Sequence, residues 1–468
     1  MTTPRLLGAL ALGAFVLCAS SVEAQSATAS HADSARAAHR DSTSRRDSLA
    51  AAIEQLEARV TALEKSIGAT AAPARGPSVS ASREGLAVAS ADGAFAFRLR
   101  GYVQADGRFF GASGAVSPGA STFLLRRARL IFDATAYKYF ALRLAPDFGN
   151  GQAVLFDAYV DARANAALGL RAGKFRSPLG LERQIPASDQ RFIERGLPSM
   201  LVPNRDVGVL ISGDLATAHV QYALGVLDGA PDGANIDGDA ATGKDVVGRV
   251  LVRPFATSPR AIDVGIGVAG SSGTEQGSPG APALGVYRSA GQLALFRFRS
   301  DGTAANTTIA DGRRTRVAPQ GYAYIGPAGM LAEYTRVTHG VRRATSSAAL
   351  TNEAWQLSAA WMVSGERETF GALAPRHPVD GSTSGGVGAL EVAARYGVLT
   401  TDADAFPTYA DPVTQARRAR ATGVGVNWRL TRGVVVSVDY ERTQLDGPDA
   451  GVVRSTEHDV LTRLQLGF

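Results

Sequence analysis

From Phe95 the chain alternates. Phe95, Phe97, Leu99, Gly101, Val103 and Ala105 hold one set of positions, and Ala96, Arg98, Arg100, Tyr102, Gln104 and Asp106 the other. This period of two marks a β-strand with an apolar and a mostly polar face. Its length exceeds that of most soluble strands and suits a tilted membrane crossing. Val154, Phe156, Ala158 and Val160 alternate with Leu155, Asp157, Tyr159 and Asp161 in the same way. Similar segments recur to the C-terminus, between loops rich in Gly, Asp, Pro and Ser.

The pattern predicts sixteen strands: 95–108, 123–134, 138–146, 152–162, 168–176, 206–213, 218–227, 245–254, 261–270, 320–326, 329–337, 354–363, 387–397, 421–430, 433–442 and 457–468. Short turns at 135–137, 213–217, 326–329 and 430–433 belong on one end of a barrel. They all fall there only if no strand, or two, lies between 270 and 320. The strand-like segment 292–299 is therefore assigned to a long loop. This leaves 364–386 as a long connection at the short-turn end. The expected fold is all-β, a 16-stranded antiparallel transmembrane β-barrel over 94–468, preceded by a short N-terminal α-helical coiled coil.

The N-terminal quarter carries other patterns. Arg5, the apolar run Leu6–Ser20 and Val22-Glu23-Ala24 have the layout of a signal peptide over 1–24, cut before Gln25. Residues 25–93 then form a periplasmic leader, coiled coil and linker. Leu49, Ile53, Leu56, Val60, Leu63 and Ile67 make an a/d seam over about 48–67, and Gly68 stands at its stop. A single amphipathic helix packed on something else would show the same seam. Ala69–Arg83, with Pro73 and Pro77, reads as linker.

Composition adds little until this point. The single cysteine, Cys18, lies in the signal, so the mature chain relies on neither disulfides nor thiolate metal sites. No apolar stretch after residue 24 is long enough for a transmembrane helix. The net charge is +6, which removal of Arg5 and Glu23 together leaves unchanged. A basic balance permits anionic solutes, anionic lipid or nucleic acid as partners. Export to the envelope removes nucleic acid from that set. The terminal segment Val460–Phe468 ends on an aromatic residue, as outer-membrane barrels do.

FRLRGYVQADGRFF (97–110), FLLRRARLIFDA (123–134), DAYVD (157–161), GKFRSPLGLER (173–183), RFIERG (191–196) and RDVGV (205–209) resemble the phosphate-selective porin O/P family. GYAYIGPAGMLAEY (321–334), GALEVAARY (388–396) and GVNWRL (425–430) continue the match across 94–468. The resemblance implies a homotrimer with inward-folded loops. It further implies passage of small inorganic anions, phosphate and polyphosphate among them, through an arginine-lined lumen. Family positions match Arg126, Arg127, Arg129, Lys174 and Arg176. Arg297 and Arg299 are the nearest counterpart of the family's arginine run.

Strand parity adds Arg98, Arg100, Arg108, Arg143 and Arg171 to the pore-lining set. Lys174 and Arg176 have the opposite parity to Arg171, so both sets face the lumen only across a bulge. Arginine suits this task because its charge is permanent and its planar donors match oxyanions. These side chains could equally brace the wall by pairing with Asp106, Asp133, Asp157 and Asp161. Ser177–Asn204 is expected to be a constriction loop presenting Arg183, Arg191 and Arg195.

No catalytic set, metal site or cofactor is predicted. GxGxxG at Gly265–Gly270 is followed by Ser-Ser-Gly instead of a helix, and Asp245 stands where a P-loop needs Ser or Thr. The expected function is passive diffusion of small anions across the outer membrane. The alternatives are a non-selective general porin and a barrel-anchored envelope tether. In the tether, Arg36, Arg40, Arg45 and Arg46 would contact the cell wall.

Overall fold

The structure is a computed structural model describing residues 51–61, 76–82, 84–111, 119–238, 243–256, 262–380, 385–448 and 453–468. Two compact units divide the chain, Met1–Ala74 and Arg75–Phe468. In the first, residues 51–61 are helical, with Ile53, Leu56 and Val60 exposed on one stripe. The signal segment and the rest of the seam lie outside the described residues.

The second unit opens with a hairpin, β1 (Ser78–Ser82) and β2 (Gly85–Ala89). The wall begins with β3 (Ala96–Gly111), β4 (Thr122–Ala136), β5 (Phe140–Asp147), β6 (Val154–Asn165) and β7 (Leu168–Phe175). It continues through β8 (Asp206–Leu215), β9 (Val220–Leu227), β10 (Asp245–Val252) and β11 (Ile262–Gln276). A small separate ladder, β12 (Tyr287–Arg288) and β13 (Ala294–Phe296), interrupts the wall. The second part comprises β14 (Ile309–Ile325), β15 (Ala328–Arg343), β16 (Ser346–Met362), β17 (Ala389–Thr400), β18 (Arg418–Arg429), β19 (Val434–Asp446) and β20 (Val453–Gly467). Each wall strand pairs antiparallel with its neighbours, and β20 closes on β3 from His458↔Gly111 to Gly467↔Tyr102. Among the described residues the result is a closed 16-stranded barrel, which leaves its wall no free edge.

Every predicted strand has its counterpart, but the linker reading needs correction. Ser78–Ser82 is a strand, and β2 pairs with β3 from Leu86↔Leu99 to Ala89↔Ala96. The hairpin covers the stretch of β3 edge that β20 leaves unpaired when it ends at Phe468. The period of two in Gly85–Ala89 is the signal that the Pro and Ser around it obscured.

Strand lengths differ around the wall. β5, β7, β9 and β10 have 8 residues each, whereas β14, β15 and β16 have 17, 16 and 17. At a tilt near 40°, eight residues rise only ~20 Å, short of the ~25 Å apolar band of such barrels. The extra length of β14–β16 lies at the end bearing the long loops, where the predicted strands stopped too early.

Two segments fold into the barrel. Residues 176–205 cross it, tied to several wall strands. The Leu181 amide donates to Glu333 Oε2 at 2.7 Å and the Ile193 amide to Asp439 Oδ2 at 2.6 Å. Gln104 Nε2 donates to the Ala187 carbonyl at 3.0 Å, and Asn427 Nδ2 to that of Arg191 at 2.7 Å. Gly196 passes so close to the wall that a Cβ there would lie 1.6 Å from Gln356 Oε1. The second segment, 277–308, carries β12 and β13. Its Tyr287, Leu295, Phe296 and Phe298 pack with Leu197 and Leu201 of the first segment against Val337, Val341, Leu350 and Leu399 of the wall. Residues 292–299 therefore belong to an inward loop.

Candidate functional site

With the β14–β18 side of the interior filled, open space remains beside β3–β9. A cavity of about 1180 Å³ faces the long-loop end, reaching Asn150, Asn235 and Pro282. A second, of about 420 Å³, faces the short-turn end, reaching Glu84, Arg432 and Phe468. The residues common to both linings are Arg129, Arg176, Ala187 and Arg205. The two vestibules thus meet at a neck of three guanidiniums and a methyl group.

Two bulges build this neck. On β4 the register with β3 shifts so that Gln104 faces Arg127 and Ala105 faces Leu125, leaving Arg126 as the extra residue. Arg126 and Arg127 consequently both line the outer vestibule, although they are adjacent in sequence. On β6 the register shifts between Ala145↔Asp157 and Pro146↔Leu155, leaving Phe156 extra. Pro146 has no N–H to give the ladder, so a bulge falls naturally there. Alternation put Phe156 on the apolar outer face, but the bulge turns it inward. The Arg129 and Arg205 guanidiniums lie 4.0 and 5.4 Å from its ring centre.

Each neck arginine is held differently. Arg129 donates from Nε and Nη2 to Asp147 Oδ2 at 3.0 and 2.7 Å. Arg205 Nε donates to Asp157 Oδ1 at 2.6 Å. Arg176 donates from Nη1 to the Gln184 carbonyl at 2.5 Å, and its Nε has no partner among the described residues.

Eight arginines and four carboxylates line the outer vestibule. All four carboxylates are engaged: Asp147 by Arg129, Glu194 by Arg108 and Arg126, Asp232 by Arg316, and Glu275 by Arg314. Arg127, Arg176, Arg183, Arg195 and Arg288 have no ion-pair partner among the described residues. Arg127 is held by Gln104 Oε1 at 2.7 Å, and Arg183 by the Ser199 carbonyl at 3.2 and 2.5 Å. Burial, and then the nearby Arg195 and Arg205, push the Arg183 guanidinium down to about 9.

The inner vestibule holds Arg98, Arg100, Arg143 and Arg171. These mostly brace the wall: Arg100 and Arg143 share Asp133 at 2.9 and 2.6 Å, and Arg171 pairs with Asp161 at 2.7 Å. Arg98 meets Glu84 of the β1–β2 turn at 3.4 Å.

Several expected pore residues lie elsewhere. No register shift separates Arg171 from Lys174, so Lys174 keeps the opposite parity and pairs with Asp237 outside both linings. Arg176 reaches the neck because it follows the end of β7. Arg108 is half-buried and pairs with Glu194 at 3.1 Å. Arg297 and Arg299 line a separate space of about 770 Å³ among the long loops. Arg183 and Arg195 face the outer vestibule, whereas Arg191 turns to the far side, pairing with Glu368 and donating to the Thr369 carbonyl at 2.7 Å. Parity missed Arg126, and the neck role of Arg205 had only the RDVGV motif as its signal.

The model of the family described as phosphate-selective porin O and P matches residues 97–468. The chain belongs to that family. It is an outer-membrane porin, and the match spans the closed wall and both inward segments. No match is found among curated protein sequences. Among solved structures, the porin is similar to the outer membrane channel DcaP of Acinetobacter baumannii, with a TM-score of 0.51 at 12% identity over 80% of this chain and 97% of that one. It is also similar to the anion-selective porin from Comamonas acidovorans, with a TM-score of 0.45 at 12% identity over 80% and 100% of the two chains. The trimer form of OmpT of Vibrio cholerae has a TM-score of 0.46 at 12% identity, over 80% and 100%. The likeness to DcaP bears on the fold.

Proposed function

We propose that this porin passes small anions passively, selecting them at the neck formed by Arg129, Arg176 and Arg205. The observation that carries the reading is the outer vestibule, where every lining carboxylate is engaged and five guanidiniums remain without one. A ring of fixed positive charge favours anion entry, and several adjacent weak sites allow exit. Inorganic phosphate is among the expected solutes, and polyphosphate is a longer one, because guanidinium forks match their oxygens.

The assembly is a homotrimer in this reading. The 8-residue strands β5, β7, β9 and β10 make a wall too low to meet lipid alone. At its long-loop rim Val209, Val226 and Val246 stand exposed at 47%, 50% and 55%. Other copies of the chain would cover them. Residues 1–24 serve as the export signal, and the helical segment around 51–61 lies in the periplasm.

The test is the reversal potential of purified porin in a planar bilayer under a potassium chloride gradient. Anion preference that falls in Arg176→Gln supports the reading. Cation preference, or none, overturns it.

A further inference from the structure

The tetrapeptide Arg-Arg-Ala-Arg occurs twice. At 126–129 it faces the lumen, as described above. At 417–420 it opens β18 with the opposite facing: Ala419 is 1% exposed and packed inside, while Arg418 and Arg420 point outward from the barrel. On the neighbouring strand, Arg442 lies opposite Thr422 and diagonal to Arg420, also outward. His458 lies opposite Arg442 on β20, and its Nδ1 is 2.7 Å from the Tyr440 hydroxyl. Arg420 pairs with Asp446 at 2.6 Å. Arg418 and Arg442 have no ion-pair partner among the described residues.

Height along the wall says what this patch meets. The outward residues of β18 run Trp428, Val426, Val424, Thr422, Arg420 and Arg418. From Trp428 to Arg418, a tilted strand rises ~25 Å, the thickness of the apolar band of such barrels. Trp428 therefore marks one interface, and the arginines the other. A guanidinium facing lipid is costly at mid-membrane and far less so at the interface, so these side chains belong at headgroup level. Below them Val424, Val438 and Val460 face the acyl chains, at 51%, 46% and 40% exposure. The patch also lies on the side of β18–β20, away from the low wall of β5–β10 where other copies of the chain would dock.

We infer that Arg418, Arg420 and Arg442 bind the phosphorylated headgroup of an outer-leaflet lipid. The site is external to the channel and independent of what the channel selects. Two guanidiniums without a carboxylate, and a third shared with Asp446, supply paired donors to phosphate oxygens. The apolar face below them receives the chains of the same lipid.

The test uses full-length porin in phosphatidylcholine vesicles, with or without bis-phosphorylated lipid A, and with the same lipid dephosphorylated. The readout is the temperature at which the barrel loses its heat-modifiable migration on a gel. The phosphorylated lipid should raise that midpoint, and the dephosphorylated lipid should not. In R418Q/R420Q/R442Q the two lipids should act alike, while the reversal potential stays at the native value. Inorganic phosphate at matched concentration should affect native and variant equally. Equal midpoints with the two lipids in the native porin, or an undiminished difference in the variant, would overturn the inference. The native comparison stands by itself should the variant fail to fold. A channel found to lack anion preference would leave this result intact.

Discussion

Arg126-Arg127-Ala128-Arg129 and Arg417-Arg418-Ala419-Arg420 are the same four residues on opposite faces of one wall. The first faces a water-filled interior, and its charges are held in place: Arg126 by Glu194 at 2.6 Å and Arg129 by Asp147 at 2.7 Å. The second faces the membrane side, and among the described residues its one ion-pair partner is Asp446. Residue type therefore does not decide function here. Register decides it, together with one extra residue on β4 that gives the first copy three inward arginines where alternation allows two. The difference teaches that a basic motif in a barrel is read from the strand's parity, its bulges and its height, in that order.

The largest effect should come from removing the anchor of the inward copy. Glu194→Gln leaves the half-buried Arg108 and Arg126 without their shared buried carboxylate, and breaking a buried pair typically costs ~3–5 kcal/mol. Burial works against this carboxylate's charge, yet Arg126 still holds it well below the usual range, so the pair is fully formed at neutral pH. The matching change outside, Asp446→Asn, frees only a partly exposed Arg420 and should cost ~1 kcal/mol or less. Denaturant midpoints in micelles compare the two. Equal losses would mean that the inward and outward settings do not differ in the way described.

Selectivity should separate the two copies next. Arg127→Gln and Arg176→Gln each remove an unpaired charge beside the path. At ~4 Å in water-like surroundings one charge is worth ~1 kcal/mol, so the anion-to-cation permeability ratio should fall ~5-fold. Arg418→Gln should leave that ratio at the native value. Reversal potentials under a salt gradient decide it, and a shift in Arg418→Gln as large as in Arg176→Gln would break the comparison.

Much of this is legible in the sequence. Alternation located all sixteen wall strands, and the short-turn argument correctly moved 292–299 into a loop. Three things escaped it, each for a physical reason. Bulges at Arg126 and Phe156 are single-residue register changes, and a period-two pattern cannot show them without the partner strand. The β1–β2 hairpin is held by β3 beyond the end of β20, a pairing that the pattern of neither strand alone reveals. Arg108 and Arg191 share the chemistry of the neck arginines, but Glu194 and Glu368 capture them. Those carboxylates come from distant parts of the chain, so alternation within a strand cannot reveal the pairing.

The smallest effect concerns the outer vestibule as a binding site in its own right. Five guanidiniums without carboxylates repel one another in the unliganded channel, and Arg195 is pushed down to about 10 by burial. An anion that enters relieves that repulsion only while the barrel is folded, so it should stabilise the folded state by mass action. At a phosphate concentration equal to the dissociation constant the contribution is ~0.4 kcal/mol, or ~1 °C or less in a barrel of this size. The increment should shrink in Arg127→Gln, because the repulsion to be relieved is smaller there. It should persist in Arg418→Gln, whose charge lies outside the vestibule. Melting curves in phosphate against an uncharged osmolyte measure it. A phosphate increment that survives in Arg127→Gln but disappears in Arg418→Gln would reverse the roles of the two motifs, placing the phosphate-sensitive charge on the outer face of the wall.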